Sequence, residues 1–144
     1  MTTQSQRTEV VATAKLWQAA LVAALLAVIG NLIIFFVSNQ LLPSPILIPA
    51  QPGATDLVPL TAVIVMIATS IPIVGATILL ALLGRWVARP FTVFTVIAII
   101  FLLISFGSPL TLPVDGMTKL VLNLMHLMAG VITIGVLTTR GRAN

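Results

Sequence analysis

Lys119, Asn123, His126 and Gly130 recur at i, i+4, i+7 and i+11 within a stretch that is otherwise apolar. On a helix this spacing puts all four on one face. His126 is the only histidine in the chain. A neutral imidazole can ligate haem or a metal, shuttle a proton, or hydrogen-bond a quinone. A second amide, Asn31, lies in another apolar stretch. Read as membrane helices entering from opposite sides, the two stretches bring Asn31 and Asn123 to similar depth. His126 then lies ten residues from its helix end, or ~15 Å deep at about 1.5 Å per residue. Polar groups inside a span face the bundle interior or a cavity and are candidate functional residues. The candidate binding cluster is therefore Asn31, Asn123 and His126, with Lys119 nearer the surface.

Each sharper chemistry meets a deficit. A bis-histidine haem needs a second histidine, which only another copy of the chain supplies. A methionine opposing His126 across a haem must come from another helix, with Met66 as the candidate. Zinc needs three or four ligands, and the chain has no cysteine. Proton coupling uses a membrane carboxylate, but Glu9, Asp56 and Asp115 are the only acids and none lies inside a span. The plainer reading is that His126 hydrogen-bonds a neighbouring helix. No enzyme activity, catalytic residue, metal or cofactor is expected, and haem or quinone at His126 remains the alternative.

The elements that hold these residues follow from composition. Apolar residues make up 59% of the chain and charged residues 7%, against about a quarter charged in soluble domains. So few charges cannot cover a water-facing surface, so the solvent is lipid. The net charge of +4 does not indicate nucleic acid, because the basic residues form no stripe. They flank apolar runs instead, as topology signals do.

A span needs about 20 apolar residues, and four stretches qualify: about 16–38, 57–83, 90–107 and 116–138. Residues 1–15 form a polar tail, disordered over Met1–Glu9, and residues 139–144 a basic one. Asp56 is expected to cap the second helix with Pro59 in its first turn. Gly84 is expected to stop that helix. Pro90 opens the third at N1, and Gly107, Ser108 and Pro109 end it. Asp115 caps the fourth and pairs with Lys119 at i+4.

The N-terminus, the 84–89 turn and the C-terminus carry six of the seven basic residues. The positive-inside rule places all three in the cytoplasm, where Trp17 and Trp86 also fall as interfacial anchors. The first apolar run is too long for a signal peptide and reads as an uncleaved anchor. No repeat relates the two halves, so an inverted-repeat transporter is not indicated.

Packing signals lie along the spans. Ala19, Ala23 and Ala27 form a small-residue seam ending at Asn31, widened by Ala20, Ala24 and Gly30, and this seam is expected against a neighbouring helix. Pro72 is expected to kink the second span, with Thr69 and Ser70 satisfying freed carbonyls. The first outer loop, with Pro43, Pro45, Pro49 and Pro52, is stiff and extended. Its Ile46-Leu47-Ile48 run covers helix ends or dips into the interface.

Several four-span families are disfavoured by missing residues. Vitamin K epoxide reductase-like enzymes, tetraspanins and claudins need cysteines, and small multidrug transporters need a glutamate within the membrane. The Lys15-Leu16-Trp17 opening, the Gly30-Asn31 pair, the proline-rich loop and the run from Leu120 to Ala129 resemble a family of small bacterial four-span membrane proteins known only as a domain of unknown function. The resemblance runs from about Lys15 to Leu137. It implies a four-helix bundle in a bacterial inner membrane and supplies no activity. The expected fold is an all-α membrane protein, an up-down-up-down bundle of four transmembrane helices. The leading function is a non-enzymatic accessory or interaction subunit, meeting the lipid bilayer and a membrane-protein partner or its own copies. The alternatives are a binder of a hydrophobic small molecule or haem near His126, and a minimal transporter or channel.

Overall fold

The computed structural model describes residues 9–51 and 53–143. The expected disorder of Met1–Glu9 falls, apart from Glu9, outside the described residues. The elements in chain order are α1 (Thr13–Leu41), β1 (Leu47–Pro49), β2 (Leu57–Pro59), α2 (Ala62–Trp86), α3 (Pro90–Ser105), α4 (Gly107–Thr111) and α5 (Gly116–Arg140). Four helices, counting α3 and α4 together as Pro90–Thr111, are long and apolar enough to cross a membrane. α1 packs along both α2 and α5, and α3 packs less extensively against the same two helices.

The alanine seam is the spine of the bundle. Ala19, Ala23 and Ala27 are buried together with Asn31 and Phe35. Ala23 and Ala27 meet Ile73 of α2, flanked by Ala129 and Ile132 of α5. Where lipid removes the hydrophobic drive, such close approach is what joins helices. A Cβ added to Gly30 would stand 3.2 Å from Cγ of Met128, so α1 and α5 touch closely there as well.

One end of the bundle gathers the chain's extremities. Val11 and Arg142 form an isolated antiparallel bridge, with Ala12 N donating to Gly141 O and Ala143 N to Val10 O at 3.1 and 3.0 Å. Glu9 Oε2 accepts from the amides of Phe91 and Thr92, the second and third residues of α3. It thereby satisfies orphan donors that Arg89, the local N-cap residue, leaves free. Arg142 completes the knot, 3.4 Å from Glu9 Oε1 and 4.5 Å above the Phe91 ring. Pro90 opens α3 at N1 as the sequence predicts.

The opposite end holds the proline-rich segment, which is extended as expected and pairs as a hairpin. Leu47, Ile48 and Pro49 face Pro59, Val58 and Leu57. Leu60 N donates to Ile46 O and Ala50 N to Asp56 O. Alternation along an antiparallel pair then leaves Pro49 and Pro59 at positions that need no donor. Gly53 turns the hairpin at φ +83°, a conformation that suits glycine. Ile46 is buried with Phe35, Leu60, Val65 and Met125, so this loop does cover the helix ends.

Several expected boundaries are corrected. The second helix begins at Ala62 instead of residue 57, because residues 57–59 are drawn into β2 and Thr61, not Asp56, accepts from Ile64 N. Gly84 does not end α2, which runs on to Trp86. Its role is close approach, since a Cβ there would lie 2.7 Å from Cγ2 of Val11. The third span does not end at Gly107. After a turn at Phe106 the chain continues as α4, through Pro109, to Thr111. α1 exceeds its expected limits at both ends, having 29 residues, or about 43 Å at ~1.5 Å per residue. Pro72 lies within α2 on its exposed side. Ser70 donates to Met66 O, not to Ala68 O, the carbonyl that Pro72 leaves free.

Candidate functional site

The polar residues chosen from sequence occupy two faces of the bundle. Asn31 is 4% exposed and points toward α2, where its Nδ2 donates to Oγ1 of Thr69 at 2.9 Å. The stripe on α5 turns away from the α1 contact. Its last member, Gly130, lies against α3, where an added Cβ would come 2.6 Å from Cδ1 of Leu102. Met128 and Ile132 meet Gly30 of α1, whereas Gly130, whose face Asn123 and His126 share by helical spacing, meets α3.

The expected cluster of Asn31, Asn123 and His126 is therefore matched in depth and not joined by hydrogen bonds. Gly30 stands at Met128, so Asn31 lies within a turn of His126 along the bundle. Asn123 nevertheless donates from Nδ2 to Lys119 O of its own helix at 3.1 Å. His126 also bonds within α5, with Nδ1 2.7 Å from Leu122 O. The expected bond from His126 to a neighbouring helix gives way to this local one, because a side chain four residues on reaches the carbonyl without crossing an interface. A carbonyl only accepts, so the contact places the proton on Nδ1 and leaves Nε2 of the neutral ring as an acceptor.

Among the described residues two buried side-chain acceptors remain without a partner, Oδ1 of Asn31 and Oδ1 of Asn123. With Nε2 of His126 they give this layer acceptors in surplus over donors. The chemistry it suits is reception of a hydroxyl, amide or water proton. Met66, the methionine proposed to oppose His126, lies on the exposed side of α2. Among the described residues no three metal-ligating acids, histidines or cysteines cluster.

Lys119 is half-buried near the start of α5 and does not pair with Asp115. Both carboxylate oxygens of Asp115 are taken by Thr118, Oδ1 by its amide at 2.9 Å and Oδ2 by its hydroxyl at 2.6 Å. The hydroxyl bond first, and the amide bond after it, hold the Asp115 carboxyl below its ordinary range. The N-cap itself is as expected.

A groove lies at each end of the bundle. One, of about 430 Å³, sits between the hairpin and the entry to α5, beside Pro43, Pro45, Leu57, Val114 and Met117. The other, of about 460 Å³, opens between α1 and α5 at the end where the chain extremities meet. Neither is lined by Asn31, Asn123 or His126. Sequence reading found no trace of either groove, nor of the Glu9 cap, because both arise where segments distant in sequence converge.

Four packed apolar helices whose hydroxyls and amides bond mostly to their own backbones define a small multi-pass helical membrane protein. The chain belongs to the DUF6069 family, a family of unknown function, whose model matches residues 11–143. The match takes in Val11 and Arg142, the bridged residues near the two ends of the chain, beyond the Lys15–Leu137 range of the expected resemblance. No curated protein sequence and no solved structure matches the chain.

Proposed function

We propose that the protein is a non-enzymatic accessory or interaction subunit of a bacterial cytoplasmic membrane, arranged up-down-up-down with both termini in the cytoplasm. The observation that carries this reading is the weak engagement of α3. Only Pro90, Phe91 and Phe94 of α3 are buried, and 11% of the most apolar stretch of Pro90–Thr111 is buried, against 22–28% for the other three spans. Lipid supplies no drive to dock the remainder. Val96, Ile100, Phe101 and Ile104 are left outward for a helix of a membrane-protein partner. The orientation rests on the basic residues of the knotted end.

The test is a photoreactive residue placed at Phe101 or at Leu25 of α1, illuminated in native membranes. A discrete protein adduct from Phe101 and none from Leu25 is the expected result, and an adduct of twice the chain mass identifies the partner as a second copy. Lipid adducts alone from both positions would overturn the reading. Reporter fusions at Asn144 and Gly53 should report opposite sides of the membrane.

A second reading, a hydrophobic small-molecule binder near His126, is favoured by the unpaired amide oxygens of Asn31 and Asn123. It calls for a ligand that brings a donor. Native mass spectrometry from mild detergent should then show a small-molecule adduct that is lost in His126→Ala. The third reading, a minimal transporter or channel, draws no support from Pro72, which faces away from the bundle interior.

A further inference from the structure

The groove at the knotted end joins Lys15, Gln18, Arg140, Arg142 and Thr139 with Ala19 and Val22. Charge there is strongly one-sided. Lys15, Arg85, Arg89, Arg140 and Arg142 stand at this end, and Glu9 is the only acidic side chain nearby, since Asp56 and Asp115 lie at the other. Among the described residues the one salt bridge joins Glu9 to Arg142. Arg142 is further committed, its Nε donating to Thr138 O and its guanidinium lying over Phe91. Among the described residues Lys15 and Arg140 therefore line the groove as cations without a carboxylate partner.

Position and shape add to charge. Lys15 is in the first turn of α1 and Arg140 ends α5, both outside the apolar middle of their spans. Trp17, 47% exposed two residues further on, marks the depth at which interfacial aromatics sit. From the cationic mouth the groove continues along Ala19 and Val22 toward the apolar part of the helices. A free anion would fill only the mouth. A phosphate with an acyl chain attached fills both parts, and basic pockets between membrane helices recognise anionic headgroups in this way.

We propose that this groove is a binding site for one anionic phospholipid. Its phosphodiester sits between Lys15 and Arg140, within reach of Gln18 and Thr139, and an acyl chain runs along Ala19 and Val22. The recognised chemistry is a phosphate oxyanion, and the membrane is its source.

The full chain in mild detergent is titrated with phosphatidylglycerol, phosphatidylcholine or inorganic phosphate, reading bound mass by native mass spectrometry and the melting temperature. Phosphatidylglycerol is expected to give a one-to-one adduct and a rise in melting temperature. The double variant K15Q/R140Q should weaken this on the order of tenfold, while R85Q/R89Q, at the same end outside the groove, binds as wild type. Both variants alter exposed side chains, and each is first shown to melt as wild type without lipid; R140Q alone replaces the double variant if that one does not. Wild-type binding by the groove variant, equal loss in R85Q/R89Q, or equal binding of phosphatidylcholine would overturn the site. Equal stabilisation by inorganic phosphate would overturn the lipid as its occupant.

Discussion

Asn31 and Thr69 join α1 to α2 through a single 2.9 Å bond from Nδ2 to Oγ1, while the amide oxygen of Asn31, Oδ1, is buried without a partner among the described residues. Removing the hydroxyl leaves the whole amide unsatisfied inside a lipid-facing bundle. Thr69→Val, which keeps the shape, should destabilise the protein by about 1 kcal/mol. Combined with Asn31→Ala, its added cost should shrink, because the donor it strands is gone. A double-mutant cycle on detergent unfolding measures the coupling, and strict additivity would mean that the bond contributes nothing.

Gly84 and Glu9 act on the same contact from opposite sides. A Cβ on Gly84 runs into the β-branched Val11 close to its backbone, and this displaces the segment that carries Glu9. Gly84→Ala should therefore reproduce Glu9→Ala. Each should speed amide exchange at Phe91 and Thr92 and cost about 1 kcal/mol, the scale of a lost helix cap. High salt should weaken the Glu9–Arg142 pair, which is partly exposed. Protected Phe91 and Thr92 amides in Gly84→Ala would show that the segment tolerates the methyl.

Acid should loosen the entry to α5. The Asp115 carboxyl is held below its ordinary range in the folded protein, so its contribution is complete above the unfolded value of about 3.9. That contribution is lost as pH falls through the lower folded value. Asp115→Asn keeps an acceptor for the Thr118 amide and removes the titration. Melting curves from neutral pH to about pH 3 should fall more steeply for wild type than for Asp115→Asn, and parallel curves would refute the assignment.

Ala23 has no exposed surface between α1, α2 and α5. Ala23→Leu adds three carbons where no space exists, and overpacking of this kind costs about 1–3 kcal/mol. The reverse change at Leu21→Ala, on the exposed face, should be close to neutral. Equal thermal stability of the two variants in detergent would count against the seam.

What the sequence could reveal depended on range. The spans were legible because hydropathy is a property of each segment alone, and the alanine seam because small residues at i, i+4 and i+8 define a face without naming the partner. The extended proline-rich loop was legible for the same local reason. The start of α2 was misread because Asp56 and Pro59 are good local helix-entry signals, overridden by strand pairing with residues 47–49. Asn31 is recognisable from sequence as a buried polar residue, but Thr69 is not recognisable as its partner, since depth along a span does not say which neighbour a side chain faces. His126 drew attention through its rarity, and its bond to Leu122 is the short-range solution open to any histidine in a helix. Glu9 looked like part of a polar tail because the helix end it caps lies more than eighty residues away.

The backbone bonds between Val10 and Ala143 and between Ala12 and Gly141 set an order of events during synthesis. The stretch that anchors the start of α1 is the last of the described chain to leave the ribosome. Each span can insert as it emerges, but the entry to the first cannot be fixed until the residues after the last have been made. The Glu9 cap on α3 waits for the same closure. A chain truncated before Gly141 and released should hold four inserted helices and an open end, because the bonds that close that end need the residues after α5.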